Sequence, residues 1–321
     1  MKKFFLVLVI AILLSPIGTA HAASQSFVVM DGKSGRILQG LHEKELLPIA
    51  SLTKIWTAFV VVNEIDLTKK VVISKESAMQ EGSSIYLKAG STYTIEELVY
   101  GLLLRSGNDA AHALALAVGG TEEGFVVLMN QYAREYGLLN TTFTNPSGLP
   151  NEAHLSTSED TAKMLYFAMK HPSLRKIIST KRYANGNMVF LNKHRLLHEN
   201  NYAVSGKTGF TKAAGRTLAT FFEKDNESVI VVTLNYSNDW NVHRMLAKET
   251  FENYHNEIVI PKGEFFTGDL PLFEIKKDVT LLVSNNDRFS NRIVWNQSKN
   301  TGTWIVSDKR NWHFLYPLRT N

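Results

Sequence analysis

A serine and a lysine three residues apart, Ser51 and Lys54, stand at the head of the apolar run Ile55-Trp56-Thr57-Ala58-Phe59-Val60-Val61-Val62. The run is apolar enough for a helix buried in a domain core. Residues at i and i+3 share one helical face, so Oγ of Ser51 and Nζ of Lys54 can meet. A serine alone is a poor nucleophile and needs a neighbour that takes its proton. Lysine does so only when burial or a second cation lowers its pKa. The pair therefore proposes a serine acyl-enzyme that works without histidine. Taken alone, S-x-x-K is as well explained by a capped helix carrying a surface lysine.

Two further segments carry chemistry. Ser106-Gly107-Asn108 falls in a break between two helical patterns and would project a hydroxyl and an amide from a loop. A helix C-cap followed by an N-cap uses the same residues. Lys207-Thr208-Gly209 reads as the edge of a strand, with a fixed cation, a hydroxyl donor and a glycine that lets a substrate backbone lie close. A substrate adding itself to that edge gains main-chain hydrogen bonds. Lys207 would also depress the pKa of Lys54 if the two lie close.

The surrounding elements must position these pieces. Ser26–Met30 and Arg36–Leu38 flank a Gly-rich turn and read as paired strands. Lys70–Ile73 reads as a short strand. Thr94 with Glu97 predicts a capping box on a helix over Tyr93–Leu104. Further helices are expected at about Asp109–Val118, Thr121–Tyr136 and from Ser156 or Thr157 to Met169, the last ending before His171-Pro172. Asn185-Gly186 marks a hairpin. Thr217–Phe222 and Ser228–Tyr236 are strands, the second apolar enough to be central, and Asn241 to about Tyr254 is a helix. Both ends of this unit supply strands and its middle supplies helices. The expected fold is α/β (α+β): an antiparallel sheet flanked by helices with a helical subdomain. From about Asn256 short apolar runs alternate with turn residues, predicting a small C-terminal all-β domain over 256–321. Trp295, Trp304 and Trp312 are expected to fill its core.

Composition narrows the compartment and excludes several chemistries. Met1-Lys2-Lys3, the 11-residue apolar run Phe4–Leu14 and Ala20-His21-Ala22 read as a secretory signal peptide over 1–22, too short for a spanning helix. Its removal lowers the formal net charge from +5 to +3 through loss of Lys2 and Lys3. The protein is expected outside the cytoplasm, with a catalytic domain over 23–255. The sequence has no cysteine, which excludes disulfides, thiolate metal sites and a cysteine nucleophile. The mild positive charge suits an anionic wall or membrane surface and is too dispersed for nucleic acid.

The order S-x-x-K, S-x-N, K-T-G is that of penicillin-binding proteins and β-lactamases. With Ile49-Ala50-Ser51-Leu52-Thr53-Lys54, Leu104-Arg105-Ser106-Gly107-Asn108-Asp109-Ala110 and Asn145-Pro146-Ser147-Gly148-Leu149, the chain from about Phe27 to Tyr254 resembles the low-molecular-mass penicillin-binding proteins, the serine-type D-alanyl-D-alanine carboxypeptidases of peptidase family S11. The resemblance implies a peptidoglycan stem peptide as substrate and β-lactam antibiotics as acylating ligands, with no metal or other cofactor. It implies Ser51 as nucleophile, Lys54 as its base, and Ser106 and Asn108 as proton relay and substrate-amide holder. Lys207 and Thr208 would grip the terminal carboxylate beside Gly209. The backbone N–H groups of Ser51 and Phe210 would form the oxyanion hole. Phe210 stands where many relatives carry histidine. Arg216 and Arg244 both compete for a carboxylate-binding role. Trp312–Asn321 shows no amphipathic anchor face, so peripheral attachment by that route is not expected.

Other readings make different demands. A class A β-lactamase activates its deacylating water with a glutamate, and Glu135-Tyr136-Gly137-Leu138-Leu139-Asn140 misses the E-x-x-L-N spacing by one. DD-endopeptidase or transpeptidase action would use the same residues. A non-catalytic wall-binding module would not need all three motifs intact. His194 and His198 have an i, i+4 spacing but lack the H-E-x-x-H glutamate, so they read as packed or surface histidines rather than metal ligands.

Overall fold

The structure is a computed structural model and describes residues 24–199, 202–266, 272–296 and 298–319. The expected signal peptide over 1–22 lies outside the described residues.

In chain order, β1 (Ser26–Asp31) and β2 (Ile37–Leu41) form a hairpin, and a single 3₁₀ turn at Ala50–Leu52 leads into α1 (Thr53–Glu64). Next come β3 (Lys70–Val72), α2 (Lys75–Ala78), β4 (Thr92–Thr94) and α3 (Ile95–Tyr100), then a π-helical turn at Gly101–Arg105. The helical section continues with α4 (Asn108–Gly119), α5 (Glu122–Glu135), α6 (Ser158–Lys170) and α7 (Pro172–Ile178). The hairpin β5 (Arg182–Asn185) and β6 (Met188–Leu191) precedes β7 (Ala203–Thr211), β8 (Gly215–Lys224), β9 (Glu227–Leu234) and α8 (Asp239–Asn253).

The central sheet is antiparallel in the order β2-β1-β9-β8-β7. Both ends of the unit supply it, as the strand pattern predicts. The apolar run Val229–Val232 lies in β9, between β1 and β8, and is wholly buried. One face packs on α8 through Val29, Val231 and Leu246. The other packs on α1, α6 and the rest of the helical section through Val28, Ile230 and Val232. β7 is the terminal strand, so its outer edge faces the helical section with no strand beyond it.

Local chemistry explains most boundaries. Thr94 and Glu97 make the predicted capping box, and Thr121 and Thr157 cap α5 and α6 through their hydroxyls. The helix expected over Tyr93–Leu104 is divided: its first residues pair as β4, and its last turn widens into the π turn that ends at Ser106. Pro172 ends α6 as expected and also opens α7, where its missing N–H costs nothing at N1.

The C-terminal strands are β10 (Tyr254–Ile260), β11 (Gly263–Phe265), β12 (Phe273–Ile275), β13 (Val279–Ser284), β14 (Ser290–Asn296), β15 (Thr301–Ser307) and β16 (His313–Arg319). They enclose a separate apolar cluster that includes Ile260, Phe273, Leu281 and Val306, and Trp295, Trp304 and Trp312 pack against it. Arg36, buried in the β1–β2 connection, joins this region to the central sheet. It donates to the Leu282 carbonyl at 2.6 Å and pairs with Asp287 at 2.8 Å and Asp308 at 3.4 Å.

Candidate active site

Ser51 sits in the 3₁₀ turn and Lys54 in the first turn of α1, so the i, i+3 relation survives although the α-helix begins only at Thr53. Nζ of Lys54 lies 3.1 Å from Oγ of Ser51. Lys54 is fully buried, and no carboxylate forms an ion pair with it among the described residues. Burial, then the cations of Lys207 and Lys193, hold its pKa well below the usual lysine value, while Asp109 acts weakly in the other direction. A buried amine whose charge is disfavoured, beside a hydroxyl, is the arrangement a base needs.

The amine is aimed by a loop. Nζ donates to the Ser147 carbonyl at 2.5 Å. That carbonyl is presented by a turn wound around the Asn145 side chain. Its Oδ1 accepts from the backbone N–H of Ser147 (3.1 Å), Gly148 (2.7 Å) and Leu149 (3.1 Å) and from the Ser147 hydroxyl (3.0 Å). Gly148 has φ +79°, and a Cβ there would lie 1.9 Å from the Ala50 carbonyl oxygen, so only glycine lets this turn close on the residue before Ser51. His154 braces the other side. Its Nδ1 accepts from Thr144 N–H at 3.1 Å, which leaves Nε2–H to donate to Thr53 Oγ1 at 2.8 Å, and Thr53 donates to the Ala50 carbonyl. Burial, with Lys54 second, lowers the His154 pKa to about 4, so the ring is neutral.

Ser106 follows the π turn in a left-handed conformation, φ 66° and ψ 34°, which costs roughly 1–2 kcal/mol for a residue with a Cβ. Its Oγ accepts from Nζ of Lys207 at 3.0 Å, and that amine also reaches the Thr208 carbonyl at 2.8 Å. Lys207 is buried; burial first and Lys193 second lower its pKa to about 7. Asn108 opens α4 and donates from Nδ2 to the Glu81 carbonyl at 2.6 Å. The next residue, Asp109, is buried and gathers the loop opposite. Its carboxylate accepts from Ser84 Oγ at 2.6 Å and from the N–H groups of Ile85 and Leu87 at 3.1 Å. Asp109 carries as much of the geometry as Asn108, and adjacency to the S-x-N motif is its only signal in the sequence.

Lys207-Thr208-Gly209 lies inside β7 on its free edge. Gly209 touches the Ser51 turn: a Cβ there would sit 2.4 Å from Thr217 Oγ1 and 2.9 Å from the Ser51 backbone nitrogen. Thr217, across the ladder from Gly209, donates to the Ile49 carbonyl at 3.1 Å and ties β8 to the same turn. Phe210 stands at the rim, 66% exposed. Ser51, Ser106, Thr208, Gly209 and Phe210 therefore line one cleft of about 430 Å³. Lys54 and Lys207 are buried and reach it through Ser51 and Ser106, whereas Asn108 is buried with its amide turned to the Glu81 carbonyl and does not line the cleft.

Lys193 and Trp240 also line the cleft, and nothing in the sequence pattern singles them out. The two arginines separate. Arg216 lines the cleft, forked onto the Asp239 carboxylate at 2.9–3.2 Å and set over Trp240, whereas Arg244 pairs with Glu199 at 2.6 Å in a different groove. His194 is fully packed and His198 bonds the Asn192 carbonyl, and no cluster of metal-ligating side chains is found among the described residues.

The fold and this cleft set a serine hydroxyl beside a buried amine at an open strand edge. The sequence model of the D-alanyl-D-alanine carboxypeptidase family, peptidase S11, matches residues 15–238, and the chain belongs to that family. The D-alanyl-D-alanine carboxypeptidase DacF of Bacillus subtilis is 34% identical over 228 residues, which are 68% of this chain and 58% of DacF. DacC of Escherichia coli is 34% identical over 275 residues, 80% of this chain and 68% of DacC. The likeness in fold extends beyond the residues the family model matches: the crystal structure of penicillin-binding protein 5 from Haemophilus influenzae aligns with a TM-score of 0.78 at 23% identity, covering 92% of this chain and 96% of that one.

Proposed function

We propose that the protein is a serine D-Ala-D-Ala carboxypeptidase that removes the terminal D-alanine from peptidoglycan stem pentapeptides, and that penicillin acylates the same serine. One observation carries this reading: a buried amine with a depressed pKa lies 3.1 Å from a serine hydroxyl at the foot of an open strand edge. The peptide would pair with β7, its terminal carboxylate toward Lys207, Thr208 and Arg216. Lys54 takes the Ser51 proton as Oγ bonds to the carbonyl carbon. The backbone N–H groups of Ser51 and Phe210 hold the oxyanion. The C–N bond then breaks, and the leaving D-alanine nitrogen takes a proton through Ser106. Water completes the cycle by the reverse path.

Slow deacylation of penicillin is part of this reading. No glutamate lines the cleft among the described residues, and Glu135 lies at the exposed end of α5, bonded to Gln131 at 3.0 Å. The catalytic unit is taken as residues 23–255 and the β-rich unit as 256–321. The protein is placed outside the cytoplasm, on or near the wall, from its signal-like leader. The test is release of D-alanine from diacetyl-Lys-D-Ala-D-Ala by purified protein, with Ser51→Ala as control. Steady release from the parent and none from the variant is expected. Rapid nitrocefin turnover with no D-alanine release would instead identify a β-lactamase.

A further inference from the structure

The mechanism above leaves a buried histidine pair unused. His194 and His243 are both almost completely buried, and Thr220 links them across the α8 face of the sheet. The Ala219 carbonyl, 3.2 Å from His194 Nε2, makes that nitrogen the protonated one, and it also donates to Thr220 Oγ1 at 3.0 Å. Thr220 then donates to His243 Nδ1 at 2.8 Å, and His243 Nε2–H donates to Thr233 Oγ1 at 3.0 Å. The chain of donors runs one way and fixes the orientation of the His194 ring. Burial lowers the His194 pKa to about 3, so the ring stays neutral at working pH.

What the ring touches is the cleft wall. It meets Trp240 edge-on at 5.3 Å between centroids. It fills the space beside Gly206, where a Cβ would lie 2.5 Å from Nε2, and Gly206 precedes Lys207 in β7. Its chain neighbour, Lys193, is pinned by its N–H to the Leu104 carbonyl at 3.1 Å, two residues before Ser106. Lys193, Thr208, Arg216 and Trp240 all line the cleft, and Thr208 and Arg216 are two of the residues assigned above to the terminal carboxylate. His194 also pays a cost that packing alone would avoid: its Nδ1 is buried with no hydrogen-bond partner among the described residues.

We propose that His194 is a positioning residue for carboxylate recognition, holding Trp240, Lys193 and the Gly206–Thr208 strand in register, with Thr220 and His243 as the clamp that orients its ring. The inference rests on the carboxypeptidase reading of the cleft. A residue of this kind acts on the selectivity for a free carboxylate rather than on the Ser51–Lys54 pair.

The test compares kcat/KM for diacetyl-Lys-D-Ala-D-Ala with that for the same peptide ending in an amide. In His194→Ala the acid-to-amide ratio should fall about tenfold, mainly through a higher KM for the acid. His194→Gln, whose amide N–H can reach the Ala219 carbonyl, should restore most of the ratio. His243→Asn, one step removed from the cleft and usable should His194→Ala fail to fold, should lower the ratio about threefold. An unchanged ratio in variants that remain active, or an equal fall for both peptides, overturns the proposal while leaving the carboxypeptidase reading in place. A parent protein that releases neither D-alanine from the acid nor D-alaninamide from the amide overturns both.

Discussion

Asn145 touches neither nucleophile nor substrate, yet the geometry makes it one of the most sensitive positions in the molecule. In Asn145→Ala three backbone N–H groups and the Ser147 hydroxyl lose a common acceptor, and the Leu149 carbonyl loses the 3.0 Å bond from Asn145 Nδ2. Ser147 and Gly148 are buried, so water cannot replace the lost partner without opening the loop. At roughly 1–3 kcal/mol for each of the two buried N–H groups, of Ser147 and Gly148, the loss is about 2–6 kcal/mol if the loop holds its shape. If the loop relaxes, the stability cost shrinks, but the Ser147 carbonyl leaves Lys54 Nζ. A misplacement of about 1 Å then costs on the order of 10²-fold in acylation. Either response is measurable: urea denaturation reads the first and stopped-flow acylation by a fluorescent penicillin reads the second. Asn145→Asp keeps the acceptor oxygen and should recover most of the stability. Its added charge should raise the Lys54 pKa and move the acidic limb of acylation to higher pH. An Asn145→Ala protein within about 0.5 kcal/mol of the parent and acylated at the parental rate would refute the reasoning.

Lys54→Ala should abolish acylation while the protein stays folded; labelling at the parental rate would mean that another base acts. Asn108→Ala should weaken acylation by about 1–3 kcal/mol through loss of a buried amide, measured as the second-order rate with penicillin. Burial and Lys193 hold Lys207 at about 7, so its charge is lost as pH rises above that value; KM for the carboxylate-bearing peptide should climb between pH 6 and 9, and a flat KM would contradict the carboxylate role. His154 is held at about 4 and His194 at about 3 against 6.5 for a free histidine. Both folded values are depressed, so their contribution to stability is present above pH 6.5 and lost as pH falls toward 4, by about 1.4 kcal/mol per pH unit for each ring. Urea midpoints at pH 7 and pH 5 that coincide would show that these rings take up protons in the folded state.

The chemistry of this protein is written in short local segments, and short local signals are what a sequence displays. Ser51 and Lys54 meet because three residues make one helical step, Thr94 and Glu97 cap a helix by their own spacing, and the apolar run Val229–Val232 reads as a central strand wherever it is placed. The three motifs were therefore legible, and so were the sheet built from both ends of the unit and the β-rich C-terminal region, although its tryptophans pack against the core rather than form it. What required the tertiary structure is everything set by partners distant in the chain. The π turn over Gly101–Arg105 resembles a helix until packing widens it, and β11 and β14 are strands only because β12 and β15 lie beside them. Composition offers no reason to prefer Arg216 over Arg244; pairing with Asp239 against Trp240 puts one in the cleft, and Glu199 holds the other away. Above all, a lysine is a base only where burial and neighbouring cations make its charge costly. Desolvation of Lys54, the approach of Lys207 from β7 and the carbonyl held out by Asn145 come from three separated parts of the chain. Residue types supplied the groups, and the packing of distant segments lowered the pKa of one of them, because a pKa belongs to an environment and not to a side chain alone.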